Sequence, residues 1–217
     1  MSSKQETAMV VGATGMIGLE LTRQLLQNES IAQVSVVVRG AFPLEDSKLM
    51  VIRPDWSEVH AWGEEIKADQ VYCCLGSTIK KAGSLAAFRA VDVDLVLAIA
   101  RRAQLWCRSF TVISSQGASS VSVFPYLKAK GDMEIGLRKL GFDRLSILRP
   151  GLLLGERNES RPAERLAMKI MGPLSPILRG RLRFLRPVSA QKLASFMMQV
   201  GADFSKGIYH YENQDLN

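Results

Sequence analysis

The sequence contains no apolar run near the ~18 residues a membrane-spanning helix needs, so no membrane span is expected. Its first residues, Met1-Ser2-Ser3-Lys4-Gln5-Glu6, are polar and carry no targeting pattern, which raises the expectation of a soluble, cytoplasmic protein. Cysteine is scarce. The three present, Cys73, Cys74 and Cys107, match neither a disulfide framework nor CxxC metal spacing, so reduced thiols and no metal site are expected. Internal repeats and low-complexity linkers are lacking as well. At 217 residues the chain is long enough to bury a core but short for two full domains, and a single domain over 1–217 is expected.

Charge, by contrast, is in excess on one side, with a formal net charge of +7. Between Gly155 and Pro187 eight basic residues stand against three acidic ones, so this segment alone supplies +5. It lacks interleaved aromatics apart from Phe184 and matches no nucleic-acid module, which argues against a nucleic-acid partner. Two readings remain for it: a solvated basic surface, or a site for a phosphate or carboxylate group.

Short β-branched runs alternate with helical patterns along the chain, the mark of repeated βαβ units and a parallel sheet. Strands are expected near 8–12, 34–39, 49–52, 70–75, 109–114 and 144–149. Helices are expected near 16–28, 57–66, 84–105, 125–140, 162–172 and 190–200. Ser189 suits the cap of the last helix and Gly201 its stop. The fold class that follows is α/β, a Rossmann-like doubly wound parallel sheet of strand order 3-2-1-4-5-6, with a small C-terminal lid at 152–190. In such a sheet the ligand lies at the carboxyl ends of the strands, so the residues after each strand carry the function.

The first strand empties into Gly12-Ala13-Thr14-Gly15-Met16-Ile17-Gly18, a GxxGxxG turn that opens a helix. Gly12 permits a tight turn, Gly15 lets backbone approach a pyrophosphate, and Gly18 lets the helix pack on the sheet. Thr14, Met16 and Ile17 complete the cradle with amides at the positive end of the helix dipole. Arg39 ends the second strand about twenty residues on, where an acidic residue would bind the ribose 2′-hydroxyl of NAD. An arginine there pairs with a 2′-phosphate, so NADP(H) is expected. Asp55 after the third strand is a candidate for the adenine amino group or a helix cap. Leu75, Gly76 and Ser77 after the fourth lie beside the expected cofactor, and Lys80 and Lys81 follow them. Pro150 and Gly151 after the sixth turn the chain sharply and leave backbone groups for a nicotinamide carboxamide.

The fifth strand ends at Ser114 and Ser115, and Tyr126 and Lys130 follow at i and i+4 on one helix face. A phenol of pKa ~10 is a poor acid–base group near neutrality unless a cation stabilises its phenolate, and Lys130 is placed to be that cation. Ser115 would polarise a substrate carbonyl, with Ser114 as the alternate.

Together, the glycine turn, Cys73-Cys74-Leu75-Gly76-Ser77, Lys80-Lys81-Ala82-Gly83, Ser114-Ser115-Gln116-Gly117-Ala118, Tyr126-Leu127-Lys128-Ala129-Lys130-Gly131 and Arg149-Pro150-Gly151 resemble an atypical short-chain dehydrogenase/reductase. The closer likeness is to the Tat-interacting-protein oxidoreductase group and its bacterial relatives, and it includes Glu159-Ser160-Arg161-Pro162. The resemblance implies an NADP(H)-binding domain with a Ser-Tyr-Lys set on Ser115, Tyr126 and Lys130. With only a short segment after Pro150, it argues against a full sugar-nucleotide domain. The expected activity is reduction of a carbonyl on a small, optionally acidic, substrate, with Arg157, Arg161 and Arg165 as a candidate clamp. The alternative is an NADP(H)-sensing module that binds a protein partner with little turnover. Monomer and homodimer are both compatible with the sequence.

Overall fold

The computed structural model describes residues 5–63, 66–154 and 186–216. Nine strands are formed among them: β1 (Glu6–Val11), β2 (Ile31–Val37), β3 (Leu49–Ile52), β4 (Gln70–Cys73), β5 (Ser109–Ile113), β6 (Arg144–Arg149), β7 (Leu153–Leu154), β8 (Val188–Ser189) and β9 (Gly207–Glu212). Seven of them make one parallel sheet of order β3-β2-β1-β4-β5-β6-β9, while β7 and β8 pair separately. The expected 3-2-1-4-5-6 order is therefore present, extended by a seventh strand. This is the Rossmann-like arrangement, with helices on both faces.

Successive residues of each inner strand feed opposite cores, which is why the strands read as continuous apolar runs. Met9, Val11, Val71, Phe110 and Val112 face one layer, packed with Phe88, Val96, Ile99 and Met133. Ala8, Val10, Val34, Val36 and Tyr72 face the other, against Leu21 and Leu25 of α1 (Met16–Gln27) and Leu193 and Met197 near the chain end.

Besides the added pair β7 and β8, three regions differ from the sequence expectation. The helix expected over 57–66 is reduced to a 3₁₀ turn at Val59–Ala61. There Asp55 takes the Ser57 amide and Trp62 donates its indole N–H to the Asp55 carbonyl at 2.8 Å, closing the segment into a compact loop. The long helix over 84–105 is three pieces, α3 (Leu85–Arg89), a π-helical turn (Ala90–Leu95) and α4 (Val96–Ala103), preceded by the short α2 (Ile79–Ala82). Ser84 caps α3 through its hydroxyl, and Gly83 ends α2. Third, β9 was not expected at all. Its residues alternate half-buried and exposed along an edge, and Arg144 fastens its start, reaching the Ser205 carbonyl at 3.1 Å and lying 4.0 Å over the Tyr209 ring.

Two later helices match expectation: α5 (Pro125–Arg138) and α6 (Ala190–Gly201), the latter capped by the Ser189 hydroxyl accepting from the Lys192 amide at 3.2 Å. The helix expected at 162–172, and most of the lid with Arg157, Arg161 and Arg165, lie outside the described residues.

Candidate functional site

The exit of β1 is built for close approach of backbones. Gly12 has φ +80°, and a Cβ there would stand 2.7 Å from the Cys74 carbonyl carbon and 2.9 Å from the Leu75 amide nitrogen. Only glycine lets the β4 exit lie against this turn. A Cβ on Gly18 would meet the Gly12 carbonyl oxygen at 2.3 Å, so that glycine seats α1 on the sheet. Gly15 donates to the Gly12 carbonyl at 3.1 Å and opens α1 with neither a side-chain cap nor an acid in the first turn. Thr14 and Gly15 are exposed, Met16 is half-buried and Ile17 buried. An uncapped helix start beside an exposed glycine turn suits a phosphate group.

At the neighbouring exit, Arg39 is exposed and its guanidinium lies 5.3 Å from the Trp56 ring centre. Arg53 donates from Nε to the Gly40 carbonyl at 3.0 Å, bringing a second guanidinium to the same corner. Asp55 uses Oδ1 to accept the Ser57 hydroxyl at 2.6 Å and the Ser57 amide at 2.8 Å. These bonds, the hydroxyl first, hold its carboxyl below the usual range. It closes a local turn with Ser57 rather than capping a helix, since the 3₁₀ turn that follows starts after Glu58 without a side-chain cap, and no hydrogen bond engages Oδ2 among the described residues.

The β4 exit carries Leu75, Gly76 and Ser77, and a buried ion pair lies beneath it. Lys130 Nζ is 2.7 Å from Asp92 Oδ1, with the two side chains 3% and 0% exposed. Asp92 Oδ2 accepts the Ser77 amide at 2.9 Å. A Cβ on Gly76 would lie 3.7 Å from Asp92 Oδ1 and 4.0 Å from Lys130 Nζ, so the ammonium sits beside this exit. Burial pushes the neighbouring Cys73 thiol up to about 11, and all three cysteines are free thiols.

The β5 exit separates the two serines. Ser114 is buried and donates to Glu134 Oε1 at 2.5 Å. Glu134, itself 1% exposed, also takes Arg149 Nε at 3.0 Å and Nη2 at 2.6 Å, and Arg149 reaches on to Glu212 at 2.8 Å. Among the described residues the Ser115 hydroxyl makes only a long 3.4 Å contact, to the Gln116 carbonyl. Tyr126 is half-buried, its ring 5.4 Å from that of Phe88, and its hydroxyl has no hydrogen-bond partner among the described residues. Gln116 donates to the Pro150 carbonyl at 2.9 Å, and the Gly151 amide donates to Asn213 Oδ1 at 2.8 Å, so the Pro-Gly exit is tied to the end of β9.

Asp92, Glu134 and Arg53 escaped the sequence reading. Asp92 did leave a trace: Phe88, Asp92, Val96 and Ile99 recur at helical spacing, which puts a carboxylate on an apolar face. Glu134 lies one turn beyond Lys130 in the same helix and could be found in that way. Arg53 carries no such mark.

Uncapped glycine turn, parallel sheet and buried lysine together define a nucleotide-binding α/β domain, and comparison with known proteins agrees. The chain belongs to the NAD(P)H-binding family, whose description matches residues 12–200. It is 35% identical to the HTATIP2 protein of Rattus norvegicus over 176 residues, covering 79% of this chain and 72% of that one. It is 33% identical to the mitochondrial fmp52 protein of Emericella nidulans over 178 residues, covering 77% and 76%. Among solved structures it resembles the Bordetella bronchiseptica enzyme WbmH in complex with NAD+ (TM-score 0.68, 14% identity, 95% of this chain and 75% of that one). It also resembles human epimerase family protein SDR39U1 with NADPH (TM-score 0.63, 18% identity, 96% and 77%). The fold is that of atypical short-chain dehydrogenases/reductases. One expectation is overturned: the cytoplasmic assignment does not stand, because fungal relatives are named mitochondrial proteins.

Proposed function

We propose that the chain is an NADPH-dependent reductase of a small carbonyl compound. The observation that carries this reading is the division of labour at the β5 exit, where Ser114 is locked to Glu134 while, among the described residues, the Ser115 hydroxyl has only a long contact and the Tyr126 hydroxyl no hydrogen-bond partner.

The glycine turn suits the fit of a dinucleotide, since a Cβ at Gly12 or Gly18 would fill the cradle. Gly12, Thr14, Gly15, Met16, Ile17 and Gly18 would hold the pyrophosphate, and Leu75, Gly76, Ser77, Pro150 and Gly151 would line the nicotinamide end. Arg39, with Arg53 beside it, would pair with a 2′-phosphate, and Asp55 Oδ2 remains for the adenine amino group. When bound, NADPH supplies the hydride. Ser115 donates a hydrogen bond to the substrate carbonyl and Tyr126 gives its phenolic proton to the developing oxyanion. Lys130 supplies positive charge beside Tyr126 and a donor toward the ribose hydroxyls. A second reading, an NADP(H)-sensing module with little turnover, draws support from the carboxylate that offsets the Lys130 charge.

Tyr126→Phe tests the two readings, with NADPH consumption followed across a panel of aldehydes, ketones and activated alkenes. A reductase loses turnover by about 10²- to 10⁴-fold while keeping its affinity for NADPH. Absence of NADPH binding to the wild type by calorimetry removes both readings.

A further inference from the structure

The loop from Gln116 to Phe124 starts beside Ser115 and ends two residues before Tyr126, so it spans between the two hydroxyls assigned to the substrate carbonyl. It is closely fastened. The Gln116 amide donates to the Pro150 carbonyl at 2.9 Å, the Ser119 amide to the Leu127 carbonyl at 3.1 Å, and the Ser122 amide to the Ser119 carbonyl at 3.0 Å. Gly131 of α5 adds a seat for it, since a Cβ there would strike the backbone of Ser119 and Ser120.

In this fastened loop the usual polarity is reversed. Ser122 turns its hydroxyl back to accept the Phe124 amide at 3.2 Å, while Val121 and Val123 are each 87% exposed and Phe124 65%. These are the three most exposed large apolar side chains among the described residues. Charge is missing as well: from Ser109 to Leu127 the sequence has no Asp, Glu, Lys, Arg or His, in a chain that is 23% charged. Clustered apolar side chains held open to water mark a surface that something covers, and a ligand groove is one such surface.

We propose that this loop is the substrate-recognition surface of the site, and that the body of the substrate beyond its carbonyl is uncharged and apolar. The proposal rests on the reductase reading of Ser115 and Tyr126 and names the class of compound they would receive. Only Pro125 separates Tyr126 from Phe124, so a carbonyl held at the two hydroxyls leaves its remaining carbons beside the apolar end of the loop. An alkyl or aryl body gains by covering Val121, Val123 and Phe124. A carboxylate in that place would lose water against a stretch that offers it no counter-charge.

The test uses the full chain with NADPH and straight-chain aldehydes from propanal to octanal. In the wild type kcat/KM should rise about two- to threefold for each added methylene, and octanal should exceed 8-oxooctanoate, its carboxylate-ended counterpart, by about tenfold or more. In Val121→Ser/Val123→Ser/Phe124→Ser the rise should flatten. All three positions are exposed, and Phe124→Ser puts a hydroxyl at the start of α5, which has no side-chain cap, so the variant is expected to fold. A second readout needs no turnover: calorimetry with NADP+ bound should show 1-octanol binding more tightly than 1-propanol in the wild type and equally in the variant.

A wild type indifferent to chain length, the same slope in wild type and variant, or a preference for the carboxylate-ended aldehyde overturns the proposal alone. So does a variant that keeps the slope but loses self-association in sedimentation, which would make the loop a contact between copies of the chain. If the wild type binds NADPH and reduces no carbonyl, the reductase reading falls, and the alcohols still decide whether the loop takes an apolar ligand.

Discussion

The two halves of the sheet hold their strand ends by different means. On the β1-β2-β3 side the glycine turn is shaped by backbone alone: Gly12 at φ +80° against the Cys74 carbonyl, Gly18 against the Gly12 carbonyl, and a helix start with no side-chain cap. On the β4-β5-β6-β9 side each exit is fixed by buried side chains drawn from distant elements. Asp92 joins Lys130 to Ser77, Glu134 joins Ser114 to Arg149, and Asn213 joins β9 to Gly151. A phosphate is met by amides, which need space and no particular side chain. On the other side the Lys130 ammonium and the Ser114 hydroxyl are each held by a buried carboxylate, which fixes side chains rather than backbone.

The contrast predicts different failures. Gly12→Val should have the largest effect, because a branched side chain must enter the space of the Cys74 and Leu75 backbone from a left-handed residue. NADPH binding should be lost entirely in calorimetry, with a lower midpoint of thermal unfolding. Glu134→Ala comes next. It leaves Arg149 and Ser114 without their buried partner, so urea unfolding should show a loss of about 3–5 kcal/mol. A neutral pair, Glu134→Gln with Arg149→Met, should recover part of that loss; no recovery would mean that packing, not charge, dominates there.

Arg39→Asp should act on affinity alone, weakening NADPH by about tenfold or more while leaving NADH nearly unchanged. Equal losses for both would show that Arg39 does not choose the cofactor. The smallest effect concerns His210 on the edge strand β9. Burial first, then the Arg138 and Arg149 charges, lower its folded value beneath the ordinary 6.5. The unfolded chain therefore binds the proton more readily, and stability falls as pH drops below neutrality through about 6.5. In His210→Gln that portion of the acid-side decline should disappear from melts taken across this range.

Legibility in the sequence followed the same divide. The cradle shows itself because glycine spacing is a backbone property, and Gly12, Gly15 and Gly18 stand in one continuous stretch. Strand positions were legible too, because strands buried on both faces leave apolar runs, and the right-handed crossover rule of a doubly wound sheet then set their order. Tyr126 and Lys130 could be paired because one helix spaces them. Asp92, by contrast, is 38 residues upstream of Lys130 in the chain, and nothing local shows that a fold will bring them together. That Ser114 rather than Ser115 is held by a buried carboxylate likewise depends on Glu134, from another element. In place of the helix expected at 57–66, the Asp55–Ser57 turn and the Trp62 indole bond to the Asp55 carbonyl close a loop. β9 was missed as an edge strand, half exposed and held by Arg144 and Arg149 rather than by an apolar run.

That last strand has a consequence for the order of assembly. β9 pairs in parallel with β6 across about sixty residues of chain, Arg144 facing Gly207 and Arg149 facing Glu212. During synthesis the cradle at Gly12 can form early, whereas Arg149 lacks Glu212 and Gly151 lacks Asn213 until residues 207–213 have left the ribosome. Pairings of such separation close slowly. A nascent chain therefore has its glycine turn well before its Pro150–Gly151 exit is anchored, because that anchor waits for Asn213.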